Sequence, residues 1–368
     1  MGFGGEISKT VGFTPTGDPM LDFAATSTIP SMLAALFVNP ERNSGSTFIP
    51  LRQPHCLDYG RSATIPQSLA VGNITFIPRR PSKSQAQLTT TLLWRILASF
   101  PTMIERKETL PPFIHPMMLC GEVREETSML DTPETLVNCM SIVQMWKLRQ
   151  SQTNGLVWRT IRMELEKMWV EHGSYTDWQL LACQQTVLTY LLMRMREGAR
   201  VNDDIDAPLI FTLGRVSKTL VNRIGNAEFI TGVPNAINSC SEWIFHETRR
   251  RIATIARLIN MVLDIDSAVV CYLLRGFVFV PLPAQRTLWE TNTTASWRKE
   301  FDLFLRDRRL YGLAADGKLK SLVQQDDGQV VISIVDWESW LAEQDTFGTM
   351  VMLAGSLLEA NASADTSA

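Results

Sequence analysis

This chain of 368 residues has no stretch of 18 or more consecutive apolar residues, so no membrane-spanning helix is expected. Its start lacks the basic residues and apolar run of a secretory signal, and MGFGGE carries Glu6 where a myristoylation site needs Ser or Thr. It also lacks a surplus of positive charge. The formal net charge is −3, whereas a chain that grips nucleic acid unaided needs basic groups to displace phosphate counterions. An intracellular, soluble protein without a membrane partner is expected.

Histidine is scarce, with only His55, His115, His172 and His246, and none has a second ligand at metal-binding spacing. H-E-x-x-H is missing, and the six cysteines (Cys56, Cys120, Cys139, Cys183, Cys240, Cys271) form no C-x-x-C pair. They read as buried free thiols. G-x-S-x-G, the P-loop and G-x-G-x-x-G are absent as well. The sequence therefore marks no catalytic, cofactor-binding, metal or DNA-binding residue, and the chain is expected not to be an enzyme.

What it does have is apolar residues, 45% of the chain, and an ordinary 20% of charge, which suits a large core. Residues 1–85 are rich in Gly, Ser, Thr and Pro and read as a loosely structured leader, in part docked on the body, with RRPSK (79–83) as a solvated charge run or, alternatively, part of a nuclear-import signal. From Gln87 the period becomes helical. Leu92, Leu93, Ile96 and Leu97 share a face, and Phe100-Pro101 is expected to close that element. A second helix is expected over 132–148, with Leu136, Val137, Met140, Val143 and Leu148 as its apolar set. In a third, over 156–170, Val157, Trp158, Ile161, Leu165, Met168 and Trp169 line one side.

Thr176 with Gln179 forms a capping-box pattern for a helix whose inner side is Trp178, Leu181, Leu188, Leu192 and Met195. In NDDIDAP (202–208), Asp206 is a helix cap and Pro208 a first-turn residue; Asp203 and Asp204 favour the same helix start. Ser239 and Glu242 open the longest helix, to about Leu263, striped by Ile244, Ile252, Ile255, Ile259 and Val262. PLPAQRTLWE (281–290) interrupts the helices and SWRKEFDLFLRD (296–307) resumes them. QVVISIV (329–335), after Asp327-Gly328, is the one convincing strand, an arm of a small β-hairpin. A last helix is expected over 336–353, and the tail 356–368 reads as disordered.

Two clusters invite a functional reading. His246, Glu247, Arg250 and Arg251 could line a pocket for an anion; the plainer reading is an ion-pair network tying the long helix to a neighbour. The stretch FPTMIERKETLPPFIHP (100–116) is either a chemical loop or a hinge, in which Pro101, Pro111 and Pro112 stop one helix and Phe113, Ile114 and His115 anchor an extended crossing. Of the ten tryptophans, Trp158, Trp169, Trp178 and Trp243 sit at core spacing, and Trp289, Trp297, Trp337 and Trp340 gather in the last third.

One succession of segments is distinctive: LLWRILASFPTMIERKETLPPFIHP, ETLVNCMSIVQMW, VWRTIRMELEKMW, DWQLLACQQTVLTYLLMRM, SEWIFHETRRRIATIARLIN, and PLPAQRTLWE with SWRKEF. In this order, over roughly residues 75–355, it resembles the regulatory region of fungal Zn(II)2Cys6 transcription factors of secondary metabolism. The resemblance implies an all-α, multi-helix regulatory bundle over 86–355. It also implies a nuclear regulator of transcription that works through other transcription-regulatory proteins, with a small metabolite as effector. The family's six-cysteine zinc cluster has no counterpart here: the first 55 residues contain no cysteine and the six present are scattered from 56 to 271. No metal or DNA-contacting residue is carried over, and direct DNA contact is not expected. A close variant of this expectation is a truncated gene model whose native product carries a zinc cluster upstream. The alternative is a pathway enzyme, for a cyclisation or rearrangement, on a repurposed helical scaffold.

Overall fold

The structure is a computed structural model. It describes residues 64–65, 75–79, 81, 84–104, 106, 109–120, 133–150, 154–198, 205–224, 237, 239–264, 276–307, 309–324 and 330–365. His55, Cys56, Cys271, Asp203, Asp204 and most of the expected leader lie outside the described residues, as does the side chain of Cys120.

The described chain is mostly helical, with a small antiparallel sheet near its C-terminal end. Strand β1 (Thr75–Pro78) precedes α1 (Ser84–Met103), α2 (Met117–Cys120), α3 (Glu134–Leu148) and α4 (Asn154–Glu171). Then come α5 (Asp177–Glu197), α6 (Asp206–Ile224) and α7 (Cys240–Val262), followed by β2 (Leu263–Asp264) and β3 (Phe277–Phe279). The last part holds α8 (Arg286–Trp289), α9 (Thr294–Asp307), β4 (Arg309–Ala314), β5 (Leu319–Gln324), β6 (Val330–Ile334), α10 (Trp337–Leu341) and α11 (Thr346–Asp365).

Helix α5 is the centre, with α1, α3, α6 and α7 packed against it. It begins with the expected capping box: Gln179 N–H donates to Thr176 Oγ1 (3.2 Å) and Thr176 N–H to Gln179 Oε1 (2.8 Å). It is not the one-sided helix that the stripe Leu181, Leu188, Leu192 and Met195 suggests. Every residue from Leu180 to Met195 is buried, and Trp178 sits half-buried at one end. On its other faces two buried glutamines donate to neighbours, while their Oε1 atoms have no hydrogen-bond partner among the described residues. Gln184 Nε2 donates to Ser217 Oγ (2.8 Å), and Gln185 Nε2 to the Phe113 carbonyl (2.8 Å).

Helix α4 buries the six residues expected of it. Helix α3 differs: it buries Leu136, Cys139, Ile142, Val143 and Trp146, while Val137 and Leu148 face solvent. In α1, Leu93 and Leu97 are buried and Leu92 is exposed; Pro101 does not end the helix but lies buried inside it, two residues before its close. A proline in the last turn forfeits one backbone hydrogen bond, and burial of Phe100 and Pro101 against the core offsets that loss. Helix α7 starts on Ser239, whose Oγ accepts from Glu242 N–H (3.2 Å), and ends at Val262. Asp264 belongs to β2, which pairs with β1, so residues 75–79 at the end of the expected leader are docked on the body. Arg79 of the supposed solvated run donates from its backbone to Val262 O (2.7 Å) and from Nε to Leu263 O (3.0 Å).

The expected hairpin is a four-stranded antiparallel sheet, order β3-β4-β5-β6. QVVISIV supplies its edge, β6, and the hairpin β4–β5 turns at Gly317 with φ of +83°. The last helix is broken in two. Asp336 caps α10, donors being Ser339 N–H (3.1 Å) and Ser339 Oγ (3.0 Å). The chain turns at 342–345 and α11 then runs to Asp365.

Candidate functional site

The most heavily built polar site lies midway along α7. Glu247, Arg250 and Arg251 are one helical turn apart, and all three are buried. Arg250 Nη1 donates to Glu247 Oε2, and Arg251 Nε to Glu247 Oε1 (2.9 Å). Arg251 is fully buried and reaches three further segments. Its Nη1 meets Asp345 Oδ2 (2.7 Å) just before α11 and Pro112 O (3.1 Å) in the extended crossing; Nη2 donates to Ala284 O (3.0 Å). Ala284 N–H returns a bond to Glu247 Oε1 (2.8 Å). The guanidinium carbon lies 3.9 Å from the centre of the Trp289 ring and 5.0 Å from that of Phe347.

Two guanidinium groups and two carboxylates balance, which is the condition for keeping charges out of water. Burial lowers the pKa of Arg250, while its Glu247 partner opposes that shift. Asp345 also serves the helix that follows: its Oδ1 accepts from Phe347 N–H (2.8 Å) and starts α11. That dual role is why the expected 336–353 helix breaks.

The crossing LPPFIHP is an anchor. Phe113, Ile114 and His115 are all buried. Phe113 meets Phe100 edge-on, and His115 meets Trp289 edge-on at 4.7 Å. His115 Nδ1 accepts from Met117 N–H (3.2 Å), so the imidazole is held neutral at that nitrogen. Burial, aided by the nearby Arg251 charge and opposed by the Trp289 backbone, lowers its pKa to about 3.

His246 does not join the arginine node. It packs edge-on against Phe245, and burial with the Arg249 and Arg250 charges lowers its pKa to about 4. His172 Nε2 accepts from Arg215 Nε (3.1 Å), which leaves Nδ1 to donate to Trp169 O (2.9 Å). Asp206 is the first residue of α6 and gives both oxygens to Arg194 (2.6 and 3.1 Å), a buried bidentate pair rather than the simple cap expected. Glu197 is a further buried carboxylate, accepting from the Trp146 and Trp158 indoles (2.7 and 2.9 Å) beside Arg149. The sequence offered no signal for it beyond the tryptophans themselves.

Cys139, Cys183 and Cys240 are free and buried, and burial pushes the first two thiols up to about 12. Among the described residues no group of three or more His, Cys, Asp or Glu could hold a metal ion. Trp243 lies 6.4 Å from both Trp289 and Trp297, an aromatic cluster under α9.

A cleft of about 230 Å³ opens beside the node. Its walls are Pro281, Leu282, Leu303, Phe304 and Tyr311, with Glu300, Asp307 and Arg309 also lining it. Arg250, Ala284 and Gln344 border it too, so it abuts the node directly; of the four residues His246, Glu247, Arg250 and Arg251, only Arg250 lines it. It is smaller than the usual pocket for a drug-sized ligand. Comparison with protein-family models, with curated proteins and with solved structures gives no match to this chain.

Proposed function

We propose that this chain is a transcription-regulatory protein of the fungal Zn(II)2Cys6 type, represented by its helical regulatory region. It acts in the nucleus through other regulatory proteins and answers to a small metabolite. One observation carries the reading. Three of the segments that bear the resemblance are far apart in sequence yet meet at the Arg251 node: LPPFIHP through Pro112 and His115, SEWIFHETRRR through Glu247 and Arg251, and PLPAQRTLW through Ala284 and Trp289. Segments that interlock in one buried site form a single structural signature, which is what a shared fold requires. The cleft supports the effector part, because a ligand in it presses on Arg250, Ala284 and Gln344.

Transcript profiling of a strain lacking this gene, with and without reintroduction, tests the proposal. A coordinated loss of transcripts from one gene cluster, restored by reintroduction, is expected. The acidic, basic and phenolic groups around the cleft, Glu300, Asp307, Arg309 and Tyr311, favour a second reading as a pathway enzyme. Unchanged transcripts with one accumulated intermediate would replace the first reading by that one.

A further inference from the structure

Strand β6 is an edge of the four-stranded sheet, paired with β5 on one side only among the described residues. Its sequence, Val330-Val331-Ile332-Ser333-Ile334, holds none of the usual guards of an edge: no charge, no proline and no bulge in its register with β5. The opposite edge, β3, is guarded. It is three residues long, buried throughout, irregular in register and followed closely by Pro281. On β6, Val331 is 42%, Ile332 43% and Ile334 69% exposed.

The hydrogen-bond phase shows which backbone groups are on offer. Val335 N–H donates to Leu319 O (3.0 Å). In an antiparallel ladder hydrogen-bonded pairs alternate with non-bonded ones. Counting back along the register, Ser333 faces Ser321 and Val331 faces Val323 as bonded pairs. Val330, Ile332 and Ile334 therefore turn their N–H and C=O groups to the outer edge. These three residues also project their side chains on one common face.

We propose that β6 pairs with β6 of a second copy of this chain, antiparallel, about a two-fold axis at Ile332. The register is self-complementary. Ile332 faces Ile332 of the other copy, and Val330 faces Ile334 in both directions. All three outward residues then exchange both of their backbone bonds, and β-branched side chains meet across the axis with no like charges opposed. The two sheets join into one of eight strands. Five residues bury too little surface for an obligate dimer, so the association is weak and depends on concentration.

Sedimentation or light scattering of the full chain across the micromolar range measures it. The expected mass rises towards twice that of one chain. Ile332→Pro removes an N–H that points away from β5, so it abolishes the dimer while circular dichroism shows the fold retained. A cysteine scan supplies a second reading under mild oxidation, with the unsubstituted chain as background. Ile332→Cys places two thiols at Cα spacing of about 5.5 Å, within disulfide reach, and cross-links. Ile334→Cys places them roughly 14 Å apart, at about 3.4 Å per residue, and does not. A chain that stays monomeric, a dimer indifferent to Ile332→Pro, or equal cross-linking of the two cysteine variants overturns the proposal. A stable complex formed instead with a strand of a different protein, without self-association, overturns it too. None of these outcomes bears on the transcriptional reading, which rests on other residues.

Discussion

At the scale of single residues, burial lowers the pKa of two histidines within the pH range where unfolding is readily followed. His115 and His246 are held neutral in the folded chain, with pKa values lowered to about 3 and about 4 from 6.5. Unfolding frees each imidazole to take a proton near pH 6.5. The unfolded state thus binds more protons below that value, and stability falls as pH drops. It is fully present above about pH 6.5 and is lost progressively towards the folded-state values. Each histidine removes at most about 1.4 kcal/mol per pH unit across that window, so the two together cost up to roughly 4 kcal/mol by pH 5. Urea unfolding at pH 7, 6 and 5 should give midpoints that decline together with pH, and His115→Gln should flatten the decline. A flat profile in the parent chain would show that these imidazoles are protonated in place.

At the scale of elements, glycine distinguishes close contact from open space. Gly317 turns the β4–β5 hairpin at φ of +83°, and a Cβ there would lie 2.4 Å from Glu359 Cγ and 2.6 Å from Gly355 O on α11. Gly155 stands in the first turn of α4 with nothing within 4 Å of its would-be Cβ. Alanine at the two positions should therefore act with opposite sign. Gly317→Ala should destabilise by at least about 1–2 kcal/mol, from the left-handed backbone alone. Gly155→Ala should stabilise by roughly 0.5–1 kcal/mol, through helix propensity. Thermal unfolding of both variants checks the pair.

The same scale shows how far the sequence was readable. The face of α4, the capping box of α5 and the start of α7 at Ser239 depend on neighbours within a few positions, and they were legible. The burial of α5 on every side was not, because Gln184 and Gln185 find partners 33 and 72 residues away, at Ser217 and Phe113. Strands β4 and β5 were also missed. Their signal was present as RLYGLA and LKSLVQ around Ala315, Asp316 and Gly317, but each strand has buried residues on both faces, which blurs the alternation. The break between α10 and α11 depends on Asp345 answering an arginine 94 residues earlier.

At the scale of the whole molecule, the Arg251 node bonds α7 to three segments distant in sequence. Its ion pairing within α7 could be read from the spacing of Glu247, Arg250 and Arg251. Its partners at Pro112, Ala284 and Asp345 are 139, 33 and 94 residues away, and no local pattern announces them. Because one guanidinium holds the crossing, the loop before α8 and the start of α11 to α7, its loss should be felt in all three at once. Arg251→Met keeps much of the volume but leaves Glu247 and Asp345 with an unbalanced negative charge in a buried place. Breaking such a pair from one side costs about 3–5 kcal/mol. Hydrogen exchange should then show 109–116, 281–290 and 345–350 losing protection as one unit. The corner where Glu197 holds Trp146 and Trp158 shares no bond with the node and should keep its protection. If those three segments instead exchange at independent rates in the variant, the node is a set of separate contacts, and the cleft beside it has no mechanical route to the rest of the helical body.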